Sequence, residues 1–132
     1  MTDPTRPLPK FPEPGTEPFW RATAEHRLLF RVDPATGEAV PMTRREVDPQ
    51  PERRESAGAG TIYSFTVVRQ HGQPYFRNRV PYVVAFVDLD EGFRMLTEIV
   101  AEPDTVRIGQ RVRVEWEDHD DLSVPYFRPV RS

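Results

Sequence analysis

The chain has 132 residues, a formal net charge of −3 and a pI near 5.6. That length holds one small domain with a decorated terminus, and the acidic balance speaks against nucleic-acid binding, whose affinity comes largely from basic side chains on phosphate. The absence of cysteine excludes disulfides and thiolate metal sites, and no apolar run reaches bilayer-spanning length.

Residues 1–15 (MTDPTRPLPKFPEPG) read as a Pro-rich extended arm. Each proline fixes φ and removes a backbone donor, and X-Pro steps favour polyproline-like geometry. Such an arm is either a disordered terminus or a segment lying across a partner, with Leu8 and Phe11 as its anchors. Residues 16–29 (TEPFWRATAEHRLL) predict a helix. Thr16 is placed to cap it, and Glu17 and Pro18 suit the first turn. Phe19 and Thr23, like Trp20 and Ala24, are spaced to share a face. Phe19 and Trp20 side by side exceed what a short helix buries against itself. They pack on the following domain or meet another chain, as interface anchors do.

Residues 28–40 pattern as a hairpin around the turn-rich Asp33-Pro34-Ala35-Thr36-Gly37. Residues 41–57 are charged and Pro-containing and read as a solvated connector without packed structure. The small residues Gly58, Ala59 and Gly60 then lead into β-branched and aromatic side chains, as a bend or a close backbone approach before a strand would require.

Five strands are predicted, over residues 61–69, 81–89, 93–100, 110–117 and 124–130. The second is almost continuously apolar, which predicts cover on both faces. The third alternates Phe93, Met95, Thr97 and Ile99 against Arg94, Leu96, Glu98 and Val100. In the fourth, Val112, Val114 and Trp116 face inward. The prolines of the fifth demote it to an edge. Five short strands with regular turn signals close as a small barrel or a sandwich, and closure, which removes edges, favours the OB-type barrel. The fold class is thus mainly β: a five-stranded OB-type barrel over 56–132, preceded over 16–55 by a helix, a hairpin and a connector.

No catalytic constellation is evident. His26, His71 and His119 share no metal-ligand spacing, and Gly58-Ala59-Gly60 completes no phosphate-binding fingerprint. Asp88, Asp90 and Glu91, like Asp118, Asp120 and Asp121, form acidic clusters that suit acid–base work or a hard cation, but on turns they read as solvated residues. The loop bearing Tyr75, Phe76, Arg77 and Arg79 has aromatics beside arginines. Those residues suit stacking an adenine and pairing with phosphates, gripping a protein partner, or an ordinary loop with one buried ring.

In order and spacing, SAGAGTIYSFTVV, PYVVAFVDLDEG, VRIGQRVRVEWE and VPYFRP resemble successive signatures of the acyl-CoA-associated OB-fold family known as domain of unknown function 35. FWRATAEHRLLFRV is similar to that family's leading helix and its entry to the next element. The resemblance covers about residues 18–129. It implies a zinc ribbon with four cysteines over about residues 32–50, where this chain has none, so a degenerate, metal-free ribbon is expected and zinc is not. It further implies a non-catalytic accessory subunit of a thiolase-superfamily enzyme, either a thiolase or a lipid-transfer-protein-type aldolase of steroid side-chain breakdown. The expected complex is a hetero-oligomer with two copies of each subunit, sometimes joined by a MaoC-type hydratase. Acyl-CoA would be a ligand of the complex, reached past Tyr75, Phe76, Arg77 and Arg79, while Leu8, Phe11, Phe19 and Trp20 would hold the partner. A cytoplasmic location is expected, since the lack of cysteine agrees with a reducing compartment and the N-terminus lacks the apolar core of a signal peptide. The alternative from another class is a single-strand nucleic-acid binder, which the acidic pI disfavours.

Overall fold

A computed structural model describes residues 5–8, 16–42, 44 and 52–130. The leading region holds one helix, α1 (Glu17–Thr23), and three short strands: β1 (Leu28–Val32), β2 (Ala39–Val40) and β3 (Glu52–Ser56). These strands form an antiparallel sheet in the order β2-β1-β3. The hairpin turns as predicted: Asp33 accepts through Oδ1 from the amides of Ala35 and Thr36, and Gly37 takes φ 76°.

Two readings of this region need correction. The helix ends at Thr23 rather than Leu29 because His26 adopts φ 58°, and the amide of Arg27 donates back to the Ala22 carbonyl at 3.0 Å. A left-handed residue closes a helix in this way and releases Leu28 and Leu29 into a strand. Thr16 sits at the N-cap position but makes no side-chain capping bond. The supposed connector contains β3, which pairs residue for residue with β1 from Leu28↔Ser56 to Val32↔Glu52. Its Glu52, Arg53, Arg54 and Glu55 are all exposed, so the pairing is a backbone matter that left no apolar alternation to read.

The rest of the chain forms β4 (Ala59–Val68), a one-turn helix α2 (Pro74–Arg77), β5 (Tyr82–Leu89), β6 (Arg94–Ile99), β7 (Arg111–Asp118) and β8 (Ser123–Pro129). The five strands close into a barrel in the order β4-β5-β6-β8-β7. The small residues ahead of the strand run serve both expected purposes. Gly58 bends the chain at φ 76°, and at Gly60 a Cβ would lie 2.6 Å from the Asp88 carbonyl oxygen.

β8 is not an edge. It pairs with β7 along its whole length, and with β6 in parallel at Ile99↔Phe127. The amide of Val130 donates to Arg111 on β7, while the Phe127 carbonyl accepts from Val100 beyond β6. Backbone groups alternate sides along a strand, so Pro125 and Pro129 turn their missing donors toward β6, where one bridge forms. The prolines are tolerated because they fall on the sparsely bonded side.

Ile62, Val83, Val87, Val112 and Phe127 fill the barrel and are at most 1 % exposed. Leu28 and Phe30 of β1 belong to the same core, and Phe30 stacks on Phe93 with centroids 4.9 Å apart. Each such side chain stabilises the fold by roughly 2 kcal/mol. The inward set of β6 (Phe93, Met95, Thr97, Ile99) is as predicted. β5 is not covered on both faces: Val83, Ala85, Val87 and Leu89 are buried, whereas Phe86 stays 43 % exposed.

Candidate functional site

Thr23 fixes the angle at which α1 meets the barrel. Its hydroxyl donates to the Trp20 carbonyl at 2.6 Å and accepts from the Ser123 amide at 3.1 Å, and the residue is fully buried. Just beyond the helix, the His26 ring stacks on Trp116 and bonds Asp118 at 2.6 Å. Held at these points, α1 presents Phe19 and Trp20 edge to face, their centroids 5.0 Å apart. Both are half-buried, and Phe19 also touches the barrel core. The predicted pairing on the helix is half right: Thr23 is buried as the companion of Phe19, but Ala24 lies exposed.

Across from the helix lies the outer face of β5 and β6, where Phe86 and Leu96 are cross-strand partners. With Phe19, Trp20, Leu29 and Met42 they line a groove of about 440 Å³. Leu96 is 59 % exposed, an unusual position for leucine on a strand flanked by others. Tyr63, carried outward at the irregularity between Ile62 and Ser64, continues the apolar face under the guanidinium of Arg94. The rim is electrically quiet, because Arg94 is paired with Asp88 at 2.6 Å. That hydrogen bond raises the arginine further above its ordinary pKa. A groove of this kind suits an apolar element of another molecule.

The second cluster surrounds α2. All four residues predicted for the ligand path lie on this loop, yet each already has a partner within the chain. Arg79 bonds Glu98 at 2.6 Å and the Tyr75 hydroxyl at 3.0 Å, and Arg77 donates to the Gly72 carbonyl. The Tyr75 and Phe76 rings pack edge to face, and the guanidinium carbon of Arg6 sits 4.6 Å from the Tyr75 centroid and 5.5 Å from that of Phe76. Arg6 also lies 4.9 Å from the Tyr126 ring, bonds the Tyr126 hydroxyl, and pairs with Glu117 at 2.9 Å. Burial pushes the Glu117 carboxyl upward, but hydrogen bonds from Tyr126 and His119 and the charge of Arg6 more than offset it and leave the group below its ordinary value. Burial and the bond to Glu117 push the Tyr126 phenol strongly up.

Sequence reasoning missed Arg6, Glu117 and Tyr126, because Arg6 lies more than 100 positions from both of the others. The one available signal was Tyr126 within VPYFRP. Leu8 is 39 % exposed, and Phe11 lies outside the described residues. The acidic turns are less idle than predicted. Asp90 grips Arg111 through two bonds of 2.7 Å, and Glu91 binds the Ser56 hydroxyl and the Ala57 amide. Among the described residues no group of three His, Cys, Asp or Glu could hold a metal. The sequence holds no cysteine, so the ribbon region offers no thiolate to a zinc ion.

A closed five-stranded barrel with a leading helix and a small ribbon sheet defines an OB-fold module whose open feature is an apolar groove. The chain matches the family described as ChsH2, C-terminal OB-fold domain, over residues 53–117. A DUF35 domain-containing scaffold protein of Methanocaldococcus jannaschii is 31% identical over 128 residues, covering 86% of this chain and 89% of that protein. The chain belongs to the DUF35 family. A chain of the solved Ltp2-ChsH2(DUF35) aldolase is 30% identical with a TM-score of 0.76, covering 94% of this chain and 98% of that one. The 3-oxo-4,17-pregnadiene-20-carboxyl-CoA hydratase alpha subunit of Mycobacterium tuberculosis is 43% identical over 76 residues, 56% of this chain. This chain spans only 24% of that subunit, and likewise 24% of a probable enoyl-CoA hydratase alpha subunit of Thermomonospora curvata that is 43% identical over 78 residues, 58% of this chain. Among the described residues no helix is long and apolar enough to cross a membrane.

Proposed function

We propose that this chain is a non-catalytic accessory subunit that binds and stabilises a thiolase-superfamily enzyme, and that the partner performs retro-aldol or thiolytic carbon–carbon cleavage on an acyl-CoA thioester. The observation that carries the reading is the groove in which exposed Phe86 and Leu96 stand beside half-buried Trp20 and a neutralised rim. Aromatic and aliphatic anchors set in such a pocket dominate the energetics of protein interfaces. The likeness to a chain of an aldolase complex along nearly the whole length supports the choice of partner class. A lipid-transfer-protein-type aldolase is the finer expectation, with two copies of each subunit and a MaoC-type hydratase as a further component. The module would sit beside the acyl-CoA entry path, with Tyr75, Phe76, Arg77 and Arg79 toward the ligand. No observation favours the nucleic-acid alternative, since Arg94, Arg111 and Arg128 on the barrel and Arg79 on the α2 loop each face a carboxylate.

The test is co-expression with a thiolase-fold subunit encoded nearby, followed by sizing and titration. A stable hetero-oligomer is expected, and Trp20→Ala should weaken it by roughly 2 kcal/mol, about 30-fold, with the barrel still folded. Failure to associate with any thiolase-fold subunit would overturn the proposal.

A further inference from the structure

The Arg6 site is built like a receptor. Its guanidinium is flanked by three aromatic rings, Tyr75, Phe76 and Tyr126. It is neutralised by Glu117, which is itself held by the Tyr126 hydroxyl at 2.6 Å and by His119 at 2.7 Å. Only 9% of the arginine side chain is exposed. Planar stacking combined with forked hydrogen bonding suits a guanidinium and suits an ammonium poorly. The site joins three parts of the molecule: the arm at residues 5–8, the α2 loop, and the β7–β8 ladder.

The position of Arg6 has a consequence for any ligand of the α2 loop. A nucleobase stacks on an aromatic side chain with ring centroids about 4.5–7 Å apart. The guanidinium already occupies that space over both Tyr75 and Phe76. Arg6 and a stacked base exclude one another.

We propose that residues 5–8 form a strap whose Arg6 is the resident ligand of a guanidinium site on the barrel, and that a nucleotide-bearing ligand reaches the Tyr75 and Phe76 rings only after Arg6 leaves. The strap rests on geometry alone, whereas the choice of a nucleotide rests on the acyl-CoA reading given above. Displacing the strap would uncover only the ring surfaces that Arg6 covers, since Arg79 still lies 5.2 Å from the Tyr75 centroid and Phe76 still packs on His71 and Tyr82. Arg77 and Arg79 on the same loop would be the cations offered to a phosphate.

The experiment uses the full chain and two readouts. Amide hydrogen exchange at residues 74–80 should accelerate at least tenfold in Arg6→Ala, with β5 and β7 amides unchanged. Millimolar methylguanidinium should restore most of the protection, and methylammonium should not. Arg6→Lys should fall between wild type and Arg6→Ala. Glu117→Gln, which leaves the arm intact, should also accelerate exchange and guards against a folding defect in the arginine variants. Adenosine 3′,5′-bisphosphate, followed by titration, should bind Arg6→Ala at least fivefold more tightly than wild type. Unchanged exchange, or no rescue by methylguanidinium, would overturn the strap. Faster exchange without a gain in nucleotide affinity would overturn the gate. Neither result depends on the partner, so a missing hetero-oligomer would count against the accessory-subunit reading and leave the strap standing.

Discussion

The barrel and the ribbon sheet are both small and largely antiparallel, yet they are stabilised differently. The barrel has no free edge, and its interior residues Val83, Val87, Val112 and Phe127 are fully buried. The ribbon leaves β2 and β3 as edges, and it contains no thiolate to hold a metal. What secures it is β1, whose Leu28 and Phe30 insert into the core of the barrel. Charged Glu52, Arg53, Arg54 and Glu55 line the free edge of β3, which discourages pairing with other chains. The ribbon sheet is thus anchored by a hydrophobic core it shares with the barrel.

That comparison can be broken by mutation. Phe127→Ala empties the site where β6, β7 and β8 meet and should cost about 3–5 kcal/mol, seen as a large fall in the denaturation midpoint. Phe30→Ala should cost a little less, about 3 kcal/mol, and it should do so in the same single transition. Two separate transitions for Phe30→Ala would show that the ribbon has a core of its own. By contrast, Leu96→Ser on the open groove should change stability by less than about 0.5 kcal/mol, while weakening the partner complex by at least tenfold.

A fourth change sharpens the picture of the ribbon. Arg31 is 7% exposed, and its buried Nε and Nη2 find no hydrogen-bond partner among the described residues. Its neighbour across the strand pair is another arginine, Arg53. A buried donor left without an acceptor costs about 1–3 kcal/mol, and replacing buried charge with an apolar side chain of similar size is often stabilising. Arg31→Met should raise stability by about 1 kcal/mol in equilibrium unfolding. A loss of stability instead would mean that the guanidinium has an acceptor.

Legibility in the sequence followed the same division. β6 and β7 alternate in burial, and their faces could be assigned residue by residue. β3 could not be seen, because four charged side chains give no period and its pairing is carried by the backbone. The prolines of β8 point to an edge in the sequence because the side a proline's missing donor faces depends on register, which composition does not reveal. The groove was half legible. Phe19 and Trp20 stood out as neighbours, whereas Phe86 and Leu96 meet only through the β5–β6 pairing. The contacts of Arg6 were not legible at all, since they span the length of the chain.

The smallest predicted effect concerns pH, and it separates the strap from the rest of the fold. The Glu117 carboxyl lies below its ordinary value of 4.5: burial raises it, but Tyr126, His119 and Arg6 together hold it down. A carboxyl lowered in the folded state contributes stability that is fully present above its unfolded pKa. That contribution is lost as the pH falls through the folded value. The strap contact should therefore hold from neutral pH down to about 4.5 and weaken below it. The side chain remains partly open to solvent, so screening keeps the effect to roughly 1 kcal/mol or less. Asp118 and Asp90 are lowered in the same direction, by His26 and Arg111 respectively, so global unfolding in acid cannot isolate Glu117. Exchange at residues 74–80 narrows the source to Glu117 and to Glu98, which pairs with Arg79 at 2.6 Å, because Asp90 and Asp118 have their partners elsewhere, and Glu117→Gln separates these two. In the wild-type chain those amides should speed up between pH 4.5 and 3 beyond the change seen in β5. In Glu117→Gln they should be fast throughout and show no such step. A step of equal size in both proteins would move the acid response to another carboxylate.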